Sequence, residues 1–346
     1  MKSTKFLALC MSIIMVAGIL LGCTSQGNVQ DQAQGPVSDT VITVTDHAGR
    51  TIKLDKPAEK VVSVYYISTA LLIALDCEDK LCAIEMKADT RPLYKLAAEE
   101  IIQLPAVGSG KGINVEAIAQ QHPELVVIPK KLVDSVAALE ELGINVVVVD
   151  PETEKGFLEC VDMLGKLCGK QERSAALSEY YLSKKNEMRA LTQNVDRPKV
   201  YFSSASSYFS TCTSEMYQTE LIYTAGGECV SKEIEDTYWK IISPEQLIMW
   251  NPDYIFHVVD ADYSKEDIYA DEALSEINAV VNERVYRFPS AIEAWDYPTP
   301  SSVLGVMWLT NVLHPELYPD ELYLSEAKDF YREFFGIEVS AEQIGC

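Results

Sequence analysis

Apolar runs of five or six residues recur along the chain, and the segments between them return apolar residues every three or four positions. The first series of runs is VVSVYY, LVVIP and NVVVVD, and the second is KVYFS, DYIFHV and RVYRFP. Short continuous apolar runs are typical of buried parallel strands, and the spacing between them is typical of helices. The alternation predicts an α/β protein with two Rossmann-like lobes.

The sequence between the two series predicts one long helix. Residues 172–195 (ERSAALSEYYLSKKNEMRALTQNV) contain neither Gly nor Pro and are rich in helix-forming residues. We therefore expect an N-terminal lobe over 41–171, a rigid connecting helix over 172–195 and a C-terminal lobe over 196–346. Ahead of the first series, ITVTDHAGRTIKL (42–54) alternates around a His-Ala-Gly-Arg turn and predicts a β-hairpin.

The start of the chain has the features of an export signal. Lys2 and Lys5 precede an apolar run that ends in Leu-Leu-Gly directly before Cys23. This pattern predicts a secretory signal peptide over 1–22, and it resembles a bacterial lipobox, whose cysteine is acylated; an ordinary signal peptide with an incidental cysteine is the alternative. Residues 23–40 are polar and predict a lipidated tether. We expect a protein anchored by lipid at the outer face of the cytoplasmic membrane.

Composition and missing motifs argue against several classes of function. The net charge of −23 disfavours nucleic acid and anionic lipid as partners. No G-x-S-x-G, H-E-x-x-H, P-loop or G-x-G-x-x-G motif stands in a supporting context, so we do not expect an enzyme. The four histidines are scattered and none has metal-ligand spacing, so we expect neither a bare metal site nor a resident cofactor.

Seven cysteines lie beyond the lipobox. In an exported protein Cys77 could pair with Cys82, or Cys212 with Cys229, and free buried thiols are the alternative. The absence of any C-x-x-C spacing makes metal binding by these cysteines the weaker interpretation.

One sequence unit occurs twice. NVEAIAQQHPELVVIP (114–129) and SPEQLIMWNPDYIFHV (243–258) each place a Glu, Glu116 or Glu245, seven residues before a Pro that leads into a strand-like run. A single Glu in the first turn of a helix is explained by the helix dipole. Two copies at matching places in two lobes indicate a pair of acids displayed on one surface.

Three segments carry a resemblance to a known family. TVTDHAGRTIKLDKPAEKVVSV, GKGINVEAIAQQHPELVVIP and ISPEQLIMWNPDYIFHV resemble the substrate-binding proteins of ABC importers for metal chelates, which handle siderophores, haem and cobalamin. The resemblance runs from residue 41 to about residue 335. It implies a class III binding-protein fold, with two lobes joined by one long helix and the ligand in the cleft between them. It also implies that Glu116 and Glu245 dock onto arginines of a two-subunit permease, which works with ATPase subunits.

The ligand cleft should be lined by loops at the carboxyl ends of the strands, where α/β folds bind ligands. Aromatic side chains on such loops suit a broad, partly apolar ligand, although each single aromatic could instead cap the core of a lobe. The cobalamin-binding member of the family carries a pocket tryptophan at a place comparable to Trp239. The candidate ligand-binding residues are Tyr65, Tyr66, Ser68, Lys87, Lys111, Trp239, Trp295, Asp296 and Tyr297.

The ligand class stays open at this point between several alternatives. An iron-siderophore, haem or a corrinoid is expected from the resemblance, but residues 110–112 and 128–130 lack the tryptophans of the cobalamin-binding member. Lys87, Arg91 and Lys111 suit an anionic chelate, or an oxyanion such as the molybdate or tungstate that some relatives bind. N–H groups at a helix start near Ser68 could serve such an anion. A surface lipoprotein without a transport role is the remaining alternative.

Overall fold

The structure, a computed structural model, describes residues 41–236, 238–289 and 291–345. The predicted signal peptide, the tether and the lipidation site at Cys23 lie outside these residues. All described residues fall within one unit, Thr40–Cys346. Among them, no helix is both long enough and apolar enough to span a membrane.

Fourteen strands are described. They are β1 Ile42–Thr45, β2 Thr51–Leu54, β3 Val61–Ser63, β4 Leu81–Ala83, β5 Gly108–Ser109, β6 Gly112–Ile113, β7 Leu125–Pro129, β8 Asn145–Val149, β9 Lys199–Ser203, β10 Ser210–Thr211, β11 Glu228–Cys229, β12 Lys240–Ile241, β13 Tyr254–His257 and β14 Val285–Arg287.

Twelve α-helices accompany these strands in the described part of the chain. They are α1 Tyr66–Ala74, α2 Pro92–Ala97, α3 Val115–Gln120, α4 Val136–Glu140, α5 Glu154–Leu167, α6 Gln171–Leu191, α7 Tyr217–Thr224, α8 Pro244–Trp250, α9 Lys265–Ala270, α10 Asn278–Val281, α11 Ser302–Leu313 and α12 Asp320–Phe335.

The three runs of the first series form β3, β7 and β8 of a four-stranded parallel sheet in the order β4-β3-β7-β8, and β4 is the fourth strand. Its register pairs Val61 with Leu125 and Val127 with Val147. Every residue of β7 is buried. Because helices cover both faces of a parallel sheet, its central strands are apolar throughout rather than at alternate positions.

The second series forms a mixed sheet in the order β12-β10-β9-β13-β14, and β11 also pairs with β9. Strands β9, β13 and β14, which the apolar runs predict, are mutually parallel. Strand β11, which no run predicted, pairs parallel with β9. Strands β10 and β12 are antiparallel additions at one edge, and the sequence did not predict them. Each has only two residues, which is too short for a periodic signal.

The predicted hairpin over 42–54 is confirmed by the antiparallel pair β1 and β2, whose register joins Ile42 to Leu54. Its turn is held by Asp46, whose Oδ1 accepts hydrogen bonds from the backbone N–H groups of Ala48 and Arg50. The Arg50 guanidinium also donates to Asp46 Oδ2 at 2.7 Å.

The connecting helix, α6, ends at Leu191, four residues before the end of the helix expected over 172–195. At its end the Met188 carbonyl accepts hydrogen bonds from both the backbone N–H and the hydroxyl of Thr192. Helix α6 packs against α5, α7 and α11. The ammonium group of its Lys185 is buried and forms ion pairs with Glu154 of α5 and Glu220 of α7.

An aromatic cluster forms much of the core beneath the second sheet. Phe202, Phe256 and Phe288 lie on or directly after its strands, and the Trp308 ring of α11 meets the Phe288 ring edge-on at 4.9 Å between centroids. Helix α11 approaches the loop after β14 so closely that a Cβ at Gly305 would lie 2.6 Å from the Trp295 carbonyl oxygen. A side chain at position 305 would therefore displace this loop.

The six cysteines in the described part of the chain are free thiols. Of the two pairs that the sequence offered, Cys212 and Cys229 are neighbours, with their sulfur atoms 3.8 Å apart. Cys77 instead contacts Cys168, and a hydrogen bond between the two thiols, together with burial, raises the pKa of Cys77. The Cys82 thiol donates to the Val61 carbonyl, and the possible pairing of Cys77 with Cys82 is not present; free thiols, the alternative, are what the described residues show.

Candidate functional site

A cleft of about 360 Å³ lies between segments that follow the strands of the two sheets. The start of α1 and the residues around the start of α2 form one wall, and the residues after β13 and after β14 form the other. This is the position at which open α/β sheets bind ligands. Among the polar and aromatic side chains that line the cleft, together with apolar residues, are those of Tyr66, Arg91, Tyr94, Asp260, Glu293 and Tyr297.

Arg91 and Tyr66 form the cationic part of the first wall. Arg91 directly precedes α2, whose first position is Pro92, a residue suited to a helix start. The Arg91 Cζ atom lies 4.5 Å from the centroid of the Tyr66 ring, which is a cation–π contact. The buried Nε of Arg91 has no hydrogen-bond partner among the described residues. The guanidinium is therefore positioned by the ring and still has a donor to offer.

Tyr94 is fixed by hydrogen bonds beneath the first wall. Its hydroxyl donates to Glu85 Oε1 at 2.7 Å, and the Thr69 hydroxyl donates to Glu85 Oε2 at 2.6 Å. Burial raises the pKa of Tyr94 well above its ordinary value, so the hydroxyl keeps its proton. These contacts give this side of the cleft a rigid base.

The second wall carries carboxyl groups. Glu293 Oε2 accepts hydrogen bonds from the Ser301 hydroxyl at 2.6 Å and from the Ser301 backbone N–H at 3.1 Å. Burial nevertheless raises the pKa of Glu293 to about 7. Asp260 is exposed on the same wall and forms a hydrogen bond with the Tyr297 hydroxyl. The wall thus offers acceptors and, near neutral pH, a carboxyl that can exchange a proton.

Asp296 lies behind this wall and is completely buried. Neither of its carboxyl oxygens has a hydrogen-bond partner among the described residues. Burial, and then the charge of Asp260, raises the pKa of Asp296 to about 7. Gln218 holds the backbone here, since its Nε2 donates to the Asp296 carbonyl at 2.8 Å, but its own Oε1 lacks a partner. An uncompensated buried carboxyl next to a cleft is typical of a functional position.

Of the nine ligand-binding candidates from the sequence, Tyr66 and Tyr297 line this cleft. Asp296 lies behind it, and Tyr65 is buried beside it, with its ring 5.2 Å from that of Tyr66. The Ser68 hydroxyl is occupied within the fold, because it donates to the Tyr65 carbonyl at 2.7 Å. It is therefore not free to hold an anion.

The remaining candidates lie elsewhere. Trp295 is 1% exposed, and its indole N–H donates to the Tyr331 hydroxyl at 3.0 Å, so it belongs to the core rather than to the cleft lining. The partly buried Trp239 packs on the core with its ring 6.4 Å from that of Phe202. Lys87 and Lys111 are exposed in loops outside the lining.

Sequence reasoning named Arg91 only as a possible cation and did not single out Asp260 or Glu293. Two features of the sequence could have identified Asp260 and Glu293. Asp260 comes three residues after the end of β13, where a parallel strand delivers its following loop to the ligand edge. Glu293 is the first residue of the turn-rich stretch EAWDYPTPSS that contains Trp295.

The repeated unit is a structural repeat as well as a sequence repeat. Helices α3 and α8 begin with equivalent N-caps: Asn114 Oδ1 accepts from the Ala117 N–H at 3.0 Å, and Ser243 Oγ accepts from the Gln246 N–H at 3.2 Å. After each helix, one residue has a left-handed backbone before the Pro, with φ of 48° at one site and 45° at the other; these are His122 and Asn251. Such capped helix starts orient the residues of the first turn.

Glu116 and Glu245 occupy the second position of these two helices, and both are exposed. Hydrogen bonds from its own backbone N–H and from Ser243 lower the pKa of Glu245, so this carboxyl is charged at neutral pH. A lysine stands five residues before each Glu, Lys111 in one unit and Lys240 in the other. Lys111 therefore corresponds to Lys240 in the other unit, and neither lysine lines the cleft.

Among the residues that the structure describes, no group of three or more His, Cys, Asp or Glu side chains is arranged to hold a metal ion. The cleft offers one guanidinium, several phenol rings and two carboxyls instead. Such a set recognises a molecule by hydrogen bonds and ring contacts.

Comparison with known proteins identifies relatives over most of the chain. The sequence profile described as "Periplasmic binding protein" matches residues 61–292. An "Uncharacterized ABC transporter substrate-binding lipoprotein YvrC" of Bacillus subtilis is 23% identical over 322 residues, covering 89% of this chain and 97% of that protein. The "Molybdate-binding protein MolA" of Haemophilus influenzae is 20% identical over 322 residues, covering 84% of this chain and 90% of that protein.

A solved structure shows the same fold. The periplasmic solute binding protein from Veillonella parvula superposes with a TM-score of 0.78 at 24% identity, covering 88% of this chain and 96% of that one.

Proposed function

The chain belongs to the periplasmic binding protein family, and from this premise we propose that it captures a metal chelate outside the cytoplasmic membrane and delivers it to an ABC permease. As an ABC transporter substrate-binding protein, it acts with a permease and ATPase subunits and binds a small molecule. The family it belongs to consists of substrate-binding proteins. The chelate, the lipid anchor and the docking residues are the parts proposed here.

The observation that supports a chelate is the cleft between the two sheets. Its volume of about 360 Å³ lies at the small end of the range for ligand pockets, which is about 300–1,000 Å³. Tyr66, Tyr94 and Tyr297 line it. Phenol rings bury a large area at little entropy cost and leave a hydroxyl for polar contacts. A compact chelate with apolar edges and polar groups fits this lining.

An oxyanion such as molybdate is the second candidate, because a relative carries the name of a molybdate-binding protein. Small anions are held by several convergent N–H donors or cations. In the described lining, Arg91 is the one cationic side chain, and it faces two carboxyls, Asp260 and Glu293. This balance of charge supports the chelate over the oxyanion.

Delivery is proposed to depend on Glu116 and Glu245. Each is exposed at the start of a capped helix, and the two units have the same local structure. Matching acids in matching units suit a permease of two related subunits, each presenting arginine side chains. Cys23 is proposed to carry the lipid that keeps the protein near that permease.

The experiment that tests the proposal is purification of the protein from the cells that produce it, followed by metal analysis and an absorption spectrum. A stoichiometric metal with the charge-transfer or ring absorption of a chelate supports the proposal. Molybdenum or tungsten without such absorption supports the oxyanion. A protein that carries no metal, and binds neither chelates nor oxyanions in calorimetry, would be a surface lipoprotein without this transport role.

A further inference from the structure

The charged side chains of the cleft are divided unevenly between its two walls. The wall that follows the first sheet contributes the Arg91 guanidinium, and the wall that follows the second sheet contributes Asp260 and Glu293. Asp296 stands directly behind the second wall, since it precedes the lining residue Tyr297. One wall is therefore cationic and the opposite wall is acidic.

The acidic wall is not neutralised within the fold. No Lys or Arg among the described residues forms an ion pair with Asp260, Glu293 or Asp296. Both oxygens of Asp296 are buried without a hydrogen-bond partner among the described residues. Burial raises the pKa of Asp296 to about 7, and it raises the pKa of Glu293 to about 7 although Ser301 donates two hydrogen bonds to Glu293. At both sites the fold leaves part of the charge without compensation. Hydrogen-bond donors or a positive charge from a ligand would supply that compensation.

The cationic wall is also incomplete. Arg91 contacts the face of the Tyr66 ring, has no ion pair among the described residues, and keeps a buried Nε without a partner. A guanidinium presents its N–H groups in one plane and suits a carboxylate or another group with two oxygens. One anionic group of a ligand is therefore sufficient to occupy it.

We infer that the ligand is a dipolar chelate of zero or positive net charge, with one anionic group against Arg91 and an ammonium or N–H donors against Asp260 and Glu293. The inference rests on the proposed function and narrows its ligand class. It departs from the anionic chelate that Lys87, Arg91 and Lys111 suggested, because two of these three cations lie outside the cleft lining. A polyanionic chelate would place like charges against the acidic wall.

The test uses three iron chelates in isothermal titration calorimetry at pH 8. Ferrioxamine B is a ferric trihydroxamate: its anionic hydroxamate oxygens, which are bound to the iron, are the acceptors for Arg91, and its free ammonium group is the positive end. Its N-acetylated form lacks that positive charge, and a ferric triscatecholate is trianionic. We expect ferrioxamine B to bind most tightly, the acetylated form at least about tenfold more weakly, and the triscatecholate weakest.

Two variants test whether the acidic wall causes this order of affinities. Asp260→Asn and Glu293→Gln should reduce or abolish the difference between ferrioxamine B and its acetylated form. Glu276→Gln, which removes an exposed carboxyl outside the cleft lining, should keep the difference. A cooperative thermal unfolding transition in each variant shows that it folds.

The inference is overturned if the triscatecholate or molybdate binds as tightly as ferrioxamine B, or if Asp260→Asn and Glu293→Gln leave the charge preference intact. Failure of ferrioxamine B to bind also overturns it. In each case a metal chelate found on the protein purified from its own cells leaves the proposed function standing. A purified protein that carries no chelate would contradict both the inference and the proposed function.

Discussion

Replacing Asp296 with Asn removes a buried carboxyl while keeping the size of the side chain. In the part of the chain that the structure describes, both carboxyl oxygens are buried without a hydrogen-bond partner, and burial raises the pKa of Asp296 from 3.8 to about 7. Because one pKa unit corresponds to about 1.36 kcal/mol, a rise of about three amounts to ~4 kcal/mol of stability that depends on pH.

The direction of the effect follows from proton binding. Between pH 4 and pH 7 the folded protein keeps the Asp296 proton that the unfolded chain has released. Its contribution to stability is therefore complete below about pH 4 and is lost as the pH rises through about 7. Asn has no such proton. At pH 8 the variant Asp296→Asn should be more stable than the wild type by roughly 2–4 kcal/mol, and at pH 4 the two should be similar.

The assay is urea-induced unfolding of the ligand-free protein, followed by circular dichroism between pH 4 and pH 8. Glu293 also has a pKa raised to about 7, so the variant should lose only part of the fall in stability with pH. Asp134→Asn, which removes an exposed carboxyl, should follow the wild type. Parallel pH profiles for the wild type and Asp296→Asn would refute the reasoning, because the carboxyl would then not be held in an uncompensated site.

Three further predictions concern the connecting helix, the docking acids and the anchor. Lys185→Met should lower the free energy of unfolding in urea by about 2 kcal/mol, because it removes a buried charged hydrogen bond to Glu154; an unchanged midpoint would contradict this. Glu116→Ala and Glu245→Ala should reduce uptake by cells while calorimetry shows unchanged ligand affinity, and lost affinity would place these acids in the cleft or the core. Cys23→Ala should release the protein from membranes without changing affinity; retention with the same detergent partitioning would argue against lipidation.

The sheets were predictable because the local sequence of each longer strand is a continuous apolar run. The apolar run LVVIP is β7, and each of its five residues is buried, as a central parallel strand requires. The repeated local structure around Glu116 and Glu245 was predictable for a related reason, since the N-cap, the Glu and the Pro lie within ten residues of one another. Two-residue strands such as β10 and β12 carry no periodic signal and depend on their neighbours in the sheet.

The cleft was harder to predict because its lining comes from distant segments. Trp295 has the same local context as Tyr297, yet its indole reaches Tyr331 in the core whereas the Tyr297 side chain lines the cleft. Which way each ring points depends on helix packing, including the close approach of Gly305 to the Trp295 carbonyl. The pairing of Arg91 with an acidic wall likewise arises only when both sheets are in place.

The central claim, that this protein delivers a bound chelate to an ABC permease, is tested most directly by ligand-stimulated ATP hydrolysis in the reconstituted transporter. The chelate-loaded wild type should stimulate hydrolysis. The double variant Glu116→Lys, Glu245→Lys, loaded equally, should not, because like charges would face the arginines of the permease. Full stimulation by the double variant would contradict docking through these acids, and no stimulation by the loaded wild type would contradict delivery itself.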